Sequence, residues 1–293
     1  MIWAAISVAG LLATATGVIA FLATHRVPGH RFDADGLHLH YTDEGAGEAV
    51  VLLHGFAVNA DLNWRLPGIT RALARGFRVI APDLRGHGLS DKPHDPGRYG
   101  MEMVEDIPRL LDHLGIDRAH VVGYSLGGII TLKLAATHPE RLLSASVLGA
   151  GWERAQNSPL LKAMEGLVRD LRRGRGIRPL AAHLGPGRDR PGIIHTLLVW
   201  FMTRFVNDGP ALAALIRALP KLAVNEAELR RIPVPVLSIV GERDPLRPGA
   251  DALQGRIRDL TPVLIPGADH IRALWHPVFR EALRAYLLRS STR

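Results

Sequence analysis

The apolar positions of this chain fall into distinct textures. Residues 2–24, IWAAISVAGLLATATGVIAFLAT, carry no charge. As a helix rising 1.5 Å per residue they span about 34 Å, enough to cross a bilayer core. A polar linker follows over 25–31. LHLHYTDEG (37–45) alternates and then turns, as an outer strand does. EAVVLLHGF (48–56), FRVIAPDLRGHG (77–88), AHVVGYS (119–125), LLSASVLGA (142–150) and VPVLSIVGERD (234–244) hold short continuous apolar runs. Such runs fit strands covered on both faces. TPVLIPGADH (261–270) reads as a last strand and loop. Helical spacing is found over 62–75, 101–114, 126–139, 249–259 and 276–289, with Pro108 expected to bend the second of these or end its first part. Strands alternating with helices predict a mostly parallel, twisted sheet with helices on both faces. No internal repeat or low-complexity segment interrupts the pattern. The parts are an anchor and linker (1–32), a core (33–150), a helix-rich insert (151–230) and the rest of the core (231–293).

The N-terminal run predicts an uncleaved membrane helix. A cleaved signal would normally begin with Lys or Arg and have a shorter apolar region, and it would send the protein to the periplasm or outside. Only the Met1 amine stands in front of this run, while Arg26 and Arg31 follow it. Positive flanks stay in the cytoplasm, so the main domain is expected there. Ala5, Ala9, Ala13 and Gly17 stand four apart on one face, which would let two such helices pack in a weak homodimer.

Charge changes the picture in one region. The chain has 36 Lys and Arg against 28 Asp and Glu, a net charge of +8. Over 151–227 there are twelve basic against six acidic side chains, including Arg169, Arg172, Arg173 and Arg175. That excess suits anionic lipid surfaces or acidic ligands. No arginine-rich tail, zinc finger or RNA-binding signature accompanies it, so nucleic acid is not an expected partner. The chain has no cysteine, which removes disulfides, thiolate catalysis and Cys-based metal sites.

In a parallel sheet, ligands bind beyond the carboxyl ends of the strands. At those ends stand His54-Gly55-Phe56, Asp83 with Arg85-Gly86-His87-Gly88, Ser125, Asp244 and His270. A hydroxyl, a carboxylate and an imidazole thus share one rim, in chain order. A serine hydroxyl needs a base to take its proton during attack, and histidine has a suitable pKa. A buried carboxylate fixes the imidazole tautomer. The oxyanion needs preorganised donors. The Leu126 N–H stands at a helix N-terminus, and Phe56 after His54-Gly55 is placed to supply a second. In VVGYSLGGIITL (121–132), Gly123 and Gly127 leave room for a sharp elbow at Ser125.

These motifs resemble the α/β-hydrolase family, in its cap-bearing serine hydrolase and esterase branch, over about residues 33–293. The matching pieces are His54-Gly55-Phe56, Asp83 to Ser90, Gly123 to Gly128, Gly241-Glu242-Arg243-Asp244 and Gly267-Ala268-Asp269-His270. The resemblance implies Ser125 as nucleophile, Asp244 as acid, His270 as base, and Phe56 with Leu126 as the oxyanion hole. It implies no metal or organic cofactor. Glu153 is the rival acid, because some relatives place it after the strand preceding the cap. His54 is expected to support the oxyanion turn, and Asp83, Arg85 and His87 to tie their loop together. Trp64, Trp152 and Trp200 line the acyl pocket or pack the core.

The expected activity is hydrolysis of a carboxylic ester or related acyl compound, with a small apolar acyl substrate. The alternatives are hydrolysis of a carbon–carbon bond in a dienoate, against which Tyr124 stands where such relatives often have Asn, and a receptor that keeps the fold without turnover.

Overall fold

The computed structural model describes residues 27–152, 159–173, 177, 184 and 207–291. The expected anchor (2–24), Glu153, Arg175 and Trp200 lie outside the described residues. Among the described residues no helix is long and apolar enough to cross a membrane.

Eight strands form one sheet: β1 (His30–Asp33), β2 (His38–Glu44), β3 (Ala49–Leu53), β4 (Arg78–Pro82), β5 (Ala119–Tyr124), β6 (Leu142–Leu148), β7 (Val236–Gly241) and β8 (Leu260–Ile265). Their order is β1-β2-β4-β3-β5-β6-β7-β8. The first two pairings are antiparallel and the rest parallel. Pro262 lies in β8, the edge strand, where a missing N–H is tolerated. Strand β1 falls partly in the stretch expected as linker, and its pairing of His30 with Tyr41 extends the sheet by one edge.

Eight helices accompany the sheet among the described residues: α1 (Ile69–Leu73), α2 (Met101–His113), α3 (Leu126–Thr137), α4 (Pro159–Arg172), α5 (Gly209–Ala218), α6 (Glu226–Arg230), α7 (Arg247–Asp251) and α8 (Pro277–Ser290). Side chains alternate across the strands with a period of two. Val51, Leu53, Val121, Val147 and Val236 face one way, onto Ile107 and Leu110 of α2 and Ile130 and Leu134 of α3. Val50, Leu52, Val122, Leu148 and Ile239 face the other way, onto Ile69 and Leu73 of α1 and Phe279 and Leu283 of α8. The sheet is therefore covered on both faces, as its apolar runs require.

Three helices differ from expectation. The run 62–75 is broken: a short π-helix (Asp61–Arg65) and α1 are separated by Gly68 at φ 77°. Helix α2 continues through Pro108 to His113. Burial of Met103, Val104, Ile107, Leu110 and Leu111 outweighs the roughly 3 kcal/mol that an internal proline costs. The run 249–259 forms only the short α7 and then turns.

The insert leaves the core after β6 and returns before β7. Its described helices α4, α5 and α6 join the core cluster through Leu167, Leu171, Leu212, Leu215 and Leu229.

Candidate active site

Ser125 stands between β5 and α3 with φ 53° and ψ −112°. A non-glycine residue held there costs about 1–3 kcal/mol and survives only where its surroundings fix it. The surroundings do so. Its own N–H donates to the Leu148 carbonyl at 2.8 Å. The elbow leaves no space for side chains on its flanks: a Cβ at Gly123 would lie 2.0 Å from the Gly127 carbonyl oxygen, and one at Gly127 would lie 2.1 Å from that of Leu53. The hydroxyl is thereby lifted out of the strand at the point where α3 begins. Ser125 is partly exposed, although Tyr124 and Leu126 beside it are buried.

The imidazole and the carboxylate come from the last two strands. Asp244 follows β7 and His270 follows β8. His270 Nδ1 lies 2.8 Å from Asp244 Oδ2. The other carboxylate oxygen accepts the Leu246 N–H at 2.9 Å. A carboxylate accepts, so this contact favours the imidazole tautomer with the hydrogen on Nδ1. Both residues are buried. Asp269 Oδ1 accepts the Ile271 and Arg272 N–H groups and fixes the turn after the imidazole.

Tyr124 links the serine to the histidine. Its hydroxyl donates to the His270 carbonyl, and the two ring centroids are 5.1 Å apart. Burial, with the nearby Asp244 and Asp269 charges, holds its hydroxyl well above the ordinary tyrosine range, so it remains a donor. Sequence reasoning gave Tyr124 no such part. A residue next to the nucleophile on a strand end was the available signal.

The loop after β3 is built from buried imidazoles. His54 Nδ1 bonds the Gly55 carbonyl at 2.8 Å, and Nε2 accepts the Leu84 N–H at 3.0 Å. His87 Nε2 accepts the Ala57 N–H at 3.1 Å, and its Nδ1 faces the Arg85 carbonyl at 3.2 Å. Each imidazole accepts at one nitrogen and so is neutral. Burial lowers the His87 pKa to about 3. Asn63 Oδ1 accepts the Gly55 N–H at 3.0 Å. Gly55 is close to the nucleophile, since a Cβ there would lie 3.4 Å from Ser125 Cβ. Phe56 follows Gly55 in this loop and is half-buried. Leu126 is the first residue of α3, where an N–H has no acceptor within the helix.

The neighbouring loop after β4 is tied in the same way. Asp83 accepts the Ala60 N–H (3.0 Å) and the Leu89 N–H (2.9 Å) and meets His40 Nδ1 at 3.1 Å. Burial alone would raise its pKa, but the His40 bond and these backbone donors hold it far below the carboxylate range. Arg85 makes a bidentate pair with Asp106 at 2.7 and 2.5 Å. Asn207, just before α5, donates to the Ala57 carbonyl at 3.0 Å and so ties the insert to the Phe56 loop. Neither Asn63 nor Asn207 carried any motif.

Two of the three tryptophans have core positions. Trp64 is fully buried and meets the Tyr124 ring edge-on at 6.4 Å. Trp152 Nε1 donates to the Val224 carbonyl at 2.7 Å, with the Arg256 guanidinium 4.7 Å over its ring. Arg169, Arg172 and Arg173 are exposed at the end of α4 and just after it. Among the described residues no three His, Asp or Glu side chains converge as metal ligands.

A family model for the alpha/beta hydrolase fold matches residues 48–277. The chain is 39% identical over 125 residues to a 2-hydroxymuconate semialdehyde hydrolase of Pseudomonas sp. (strain CF600), covering 42% of this chain and 43% of that one. It is 32% identical over 235 residues to the dihydrolipoyllysine-residue acetyltransferase component of an acetoin cleaving system of Pseudomonas putida, covering 77% of this chain and 59% of that one. The matched stretch of the chain spans only 33%, 21% and 43% of the length of the first curated relatives. Among solved structures it is similar to a membrane phospholipase A described as a bacterial virulence factor, with TM-score 0.70 and 25% identity over 97% of this chain and 93% of that one.

Proposed function

Since the chain belongs to the alpha/beta hydrolase family, we propose that it is a serine hydrolase that cleaves a carboxylic ester or related acyl bond of an apolar substrate. The observation that carries this reading is Ser125 in a left-handed backbone at the end of β5, on the same rim as the His270–Asp244 pair. A strained serine with an oriented base is the arrangement that makes a hydroxyl nucleophilic.

In the reading we propose, Ser125 Oγ attacks the carbonyl carbon while His270 Nε2 takes its proton. The charge that develops on the carbonyl oxygen meets the N–H groups of Phe56 and Leu126. Asp244 stabilises the imidazolium and keeps the tautomer. The tetrahedral intermediate collapses, the bond to the alcohol oxygen breaks, and His270 returns the proton to the leaving alcohol. Water then attacks the acyl-enzyme, gives a proton to His270, and the acid leaves as Ser125 recovers its hydrogen. Residues 151–230 act as a cap over this rim, which the Asn207–Ala57 bond supports. Residues 2–24 anchor the chain in a membrane with the domain on the cytoplasmic side. The likeness to a membrane phospholipase A supports both the ester bond and the membrane.

A second reading, carbon–carbon bond hydrolysis of a dienoate, draws on the 39% identity to the muconate semialdehyde hydrolase. One comparison separates the two. Full-length protein in detergent is assayed on p-nitrophenyl esters of increasing chain length and on a ring-cleavage dienoate. Turnover of the esters alone supports the ester reading, and turnover of the dienoate alone replaces it.

A further inference from the structure

Six large hydrophobic side chains are exposed among the described residues: Leu66, Leu264, Ile271, Trp275, Val278 and Leu288. Four of them lie close in sequence to Trp64, His270 and Phe279, whose rings surround that of Tyr124. Ile271 and Trp275 lie on the turn that follows His270, and Trp275 is 54% exposed. Val278 precedes Phe279, and Leu66 lies two residues after Trp64. Both Phe279 and Trp64 pack on the Tyr124 ring, at 6.1 and 6.4 Å between centroids. Next to Leu66, a Cβ at Gly68 would lie 3.7 Å from the Arg280 guanidinium. The exposed Arg280 adds positive charge to this flank, while Arg272 is paired with Asp269 at 3.6 Å.

The chain's own path brings a membrane to the same place. The Val27 N–H donates to Asp61 Oδ2 at 3.1 Å, and Asp61 Oδ1 accepts from Arg65 Nε at 2.9 Å. Leu66 follows directly. Asp61 belongs to the rim, because the Ala60 N–H before it bonds to Asp83 at the end of β4. The apolar run ends at Thr24, three residues upstream of Val27. Three residues reach at most about 11 Å. Val27, the first described residue, therefore stands on the side of Asp61 and Leu66.

We propose that Leu66, Ile271, Trp275 and Val278 form a docking surface that lies in the headgroup layer of an anionic phospholipid bilayer, so that the Ser125 rim faces the membrane. The inference rests on the reading of residues 2–24 as an anchor. Tryptophan beside aliphatic and basic side chains is the composition that settles at a membrane interface. A substrate leaving the bilayer would then reach Ser125 along the rim.

The test uses full-length protein in phosphatidylcholine–phosphatidylglycerol vesicles. The chain has no cysteine, so single variants Trp275→Cys, Val278→Cys and Leu288→Cys accept one environment-sensitive fluorophore each. Leu288 is the control, on the same helix as Val278 but about 15 Å further along. Quenching by nitroxide-labelled lipid at 275 and 278, and not at 288, is expected. Equal quenching at all three, or a label at 275 shielded from water yet insensitive to the lipid quencher, as under a second copy, overturns the surface. Release of the protein by alkaline carbonate overturns the anchor itself, and the surface with it. In a parallel assay, Trp275→Ala should lower turnover of a long-chain ester held in these vesicles several-fold and leave that of a soluble short-chain ester unchanged. Equal loss on both substrates, or loss on neither, overturns the proposal.

Discussion

His270 and Asp244 meet at 2.8 Å across the ends of β8 and β7, and the second oxygen of Asp244 is occupied by the Leu246 N–H. The carboxylate is thus aimed at one imidazole nitrogen and has no freedom to turn away. Asp244→Asn keeps the shape but can donate toward Nδ1, which favours the wrong tautomer. It should lower kcat on an ester by about 10⁴-fold, with little change in KM. Glu153→Gln should have a far smaller effect. Steady-state kinetics on the two variants check this, and the reverse order of effects assigns the acid to the earlier strand.

His87 makes stability depend on pH. Its folded pKa is lowered to about 3 by burial, whereas an unfolded histidine titrates near 6.5. Between those values the unfolded chain binds the extra proton and the folded one does not. Its contribution is therefore full above about pH 6.5 and is lost as pH falls toward 3, by up to about 1.4 kcal/mol per pH unit for one proton. Asp83, also held low, loses its contribution in the same direction at still lower pH. His87→Gln should start less stable at pH 7 and show a flatter loss between pH 6.5 and 4.5. Urea unfolding in detergent at several pH values measures the slope.

Arg85 and Asp106 form a bidentate pair with the arginine fully buried. Burial pushes the Asp106 carboxyl up, against the pull of Arg85, so either group alone would be poorly accommodated. Arg85→Ala should cost about 3–5 kcal/mol, while Arg85→Met combined with Asp106→Leu should recover much of that loss. Denaturation midpoints of the three proteins test the pair. Equal destabilisation by the single and double changes would point to lost packing in place of a stranded charge.

Much of this architecture was legible because it repeats a simple code. Continuous apolar runs such as AVVLL and VLSIVG became the central strands, and the residues at their ends became the rim. The edges were less legible. The four residues of β1 bury only Phe32, too little to leave a periodic signal. Helix α2 passes through Pro108 because tertiary burial outweighs local propensity. The run 62–75 carried helical spacing on both sides of Gly68, and only the φ of 77° there separates the two pieces. In the site, Ser125, Asp244 and His270 stood out as reactive types at strand ends. The supports did not. Asn207 and the Tyr124 hydroxyl act through bonds to backbone groups that are remote in sequence, and Asn63 through the Gly55 N–H in its own loop; a backbone partner leaves no trace in the residue letters.

Ser125 as the nucleophile is the step on which the proposed chemistry turns. Full-length protein treated with a fluorophosphonate and digested should carry the adduct on the peptide containing Ser125, as read by mass spectrometry. Ser125→Ala should lose both the adduct and ester turnover while keeping its unfolding midpoint. Ester turnover retained by Ser125→Ala, with the adduct on another serine, would contradict it.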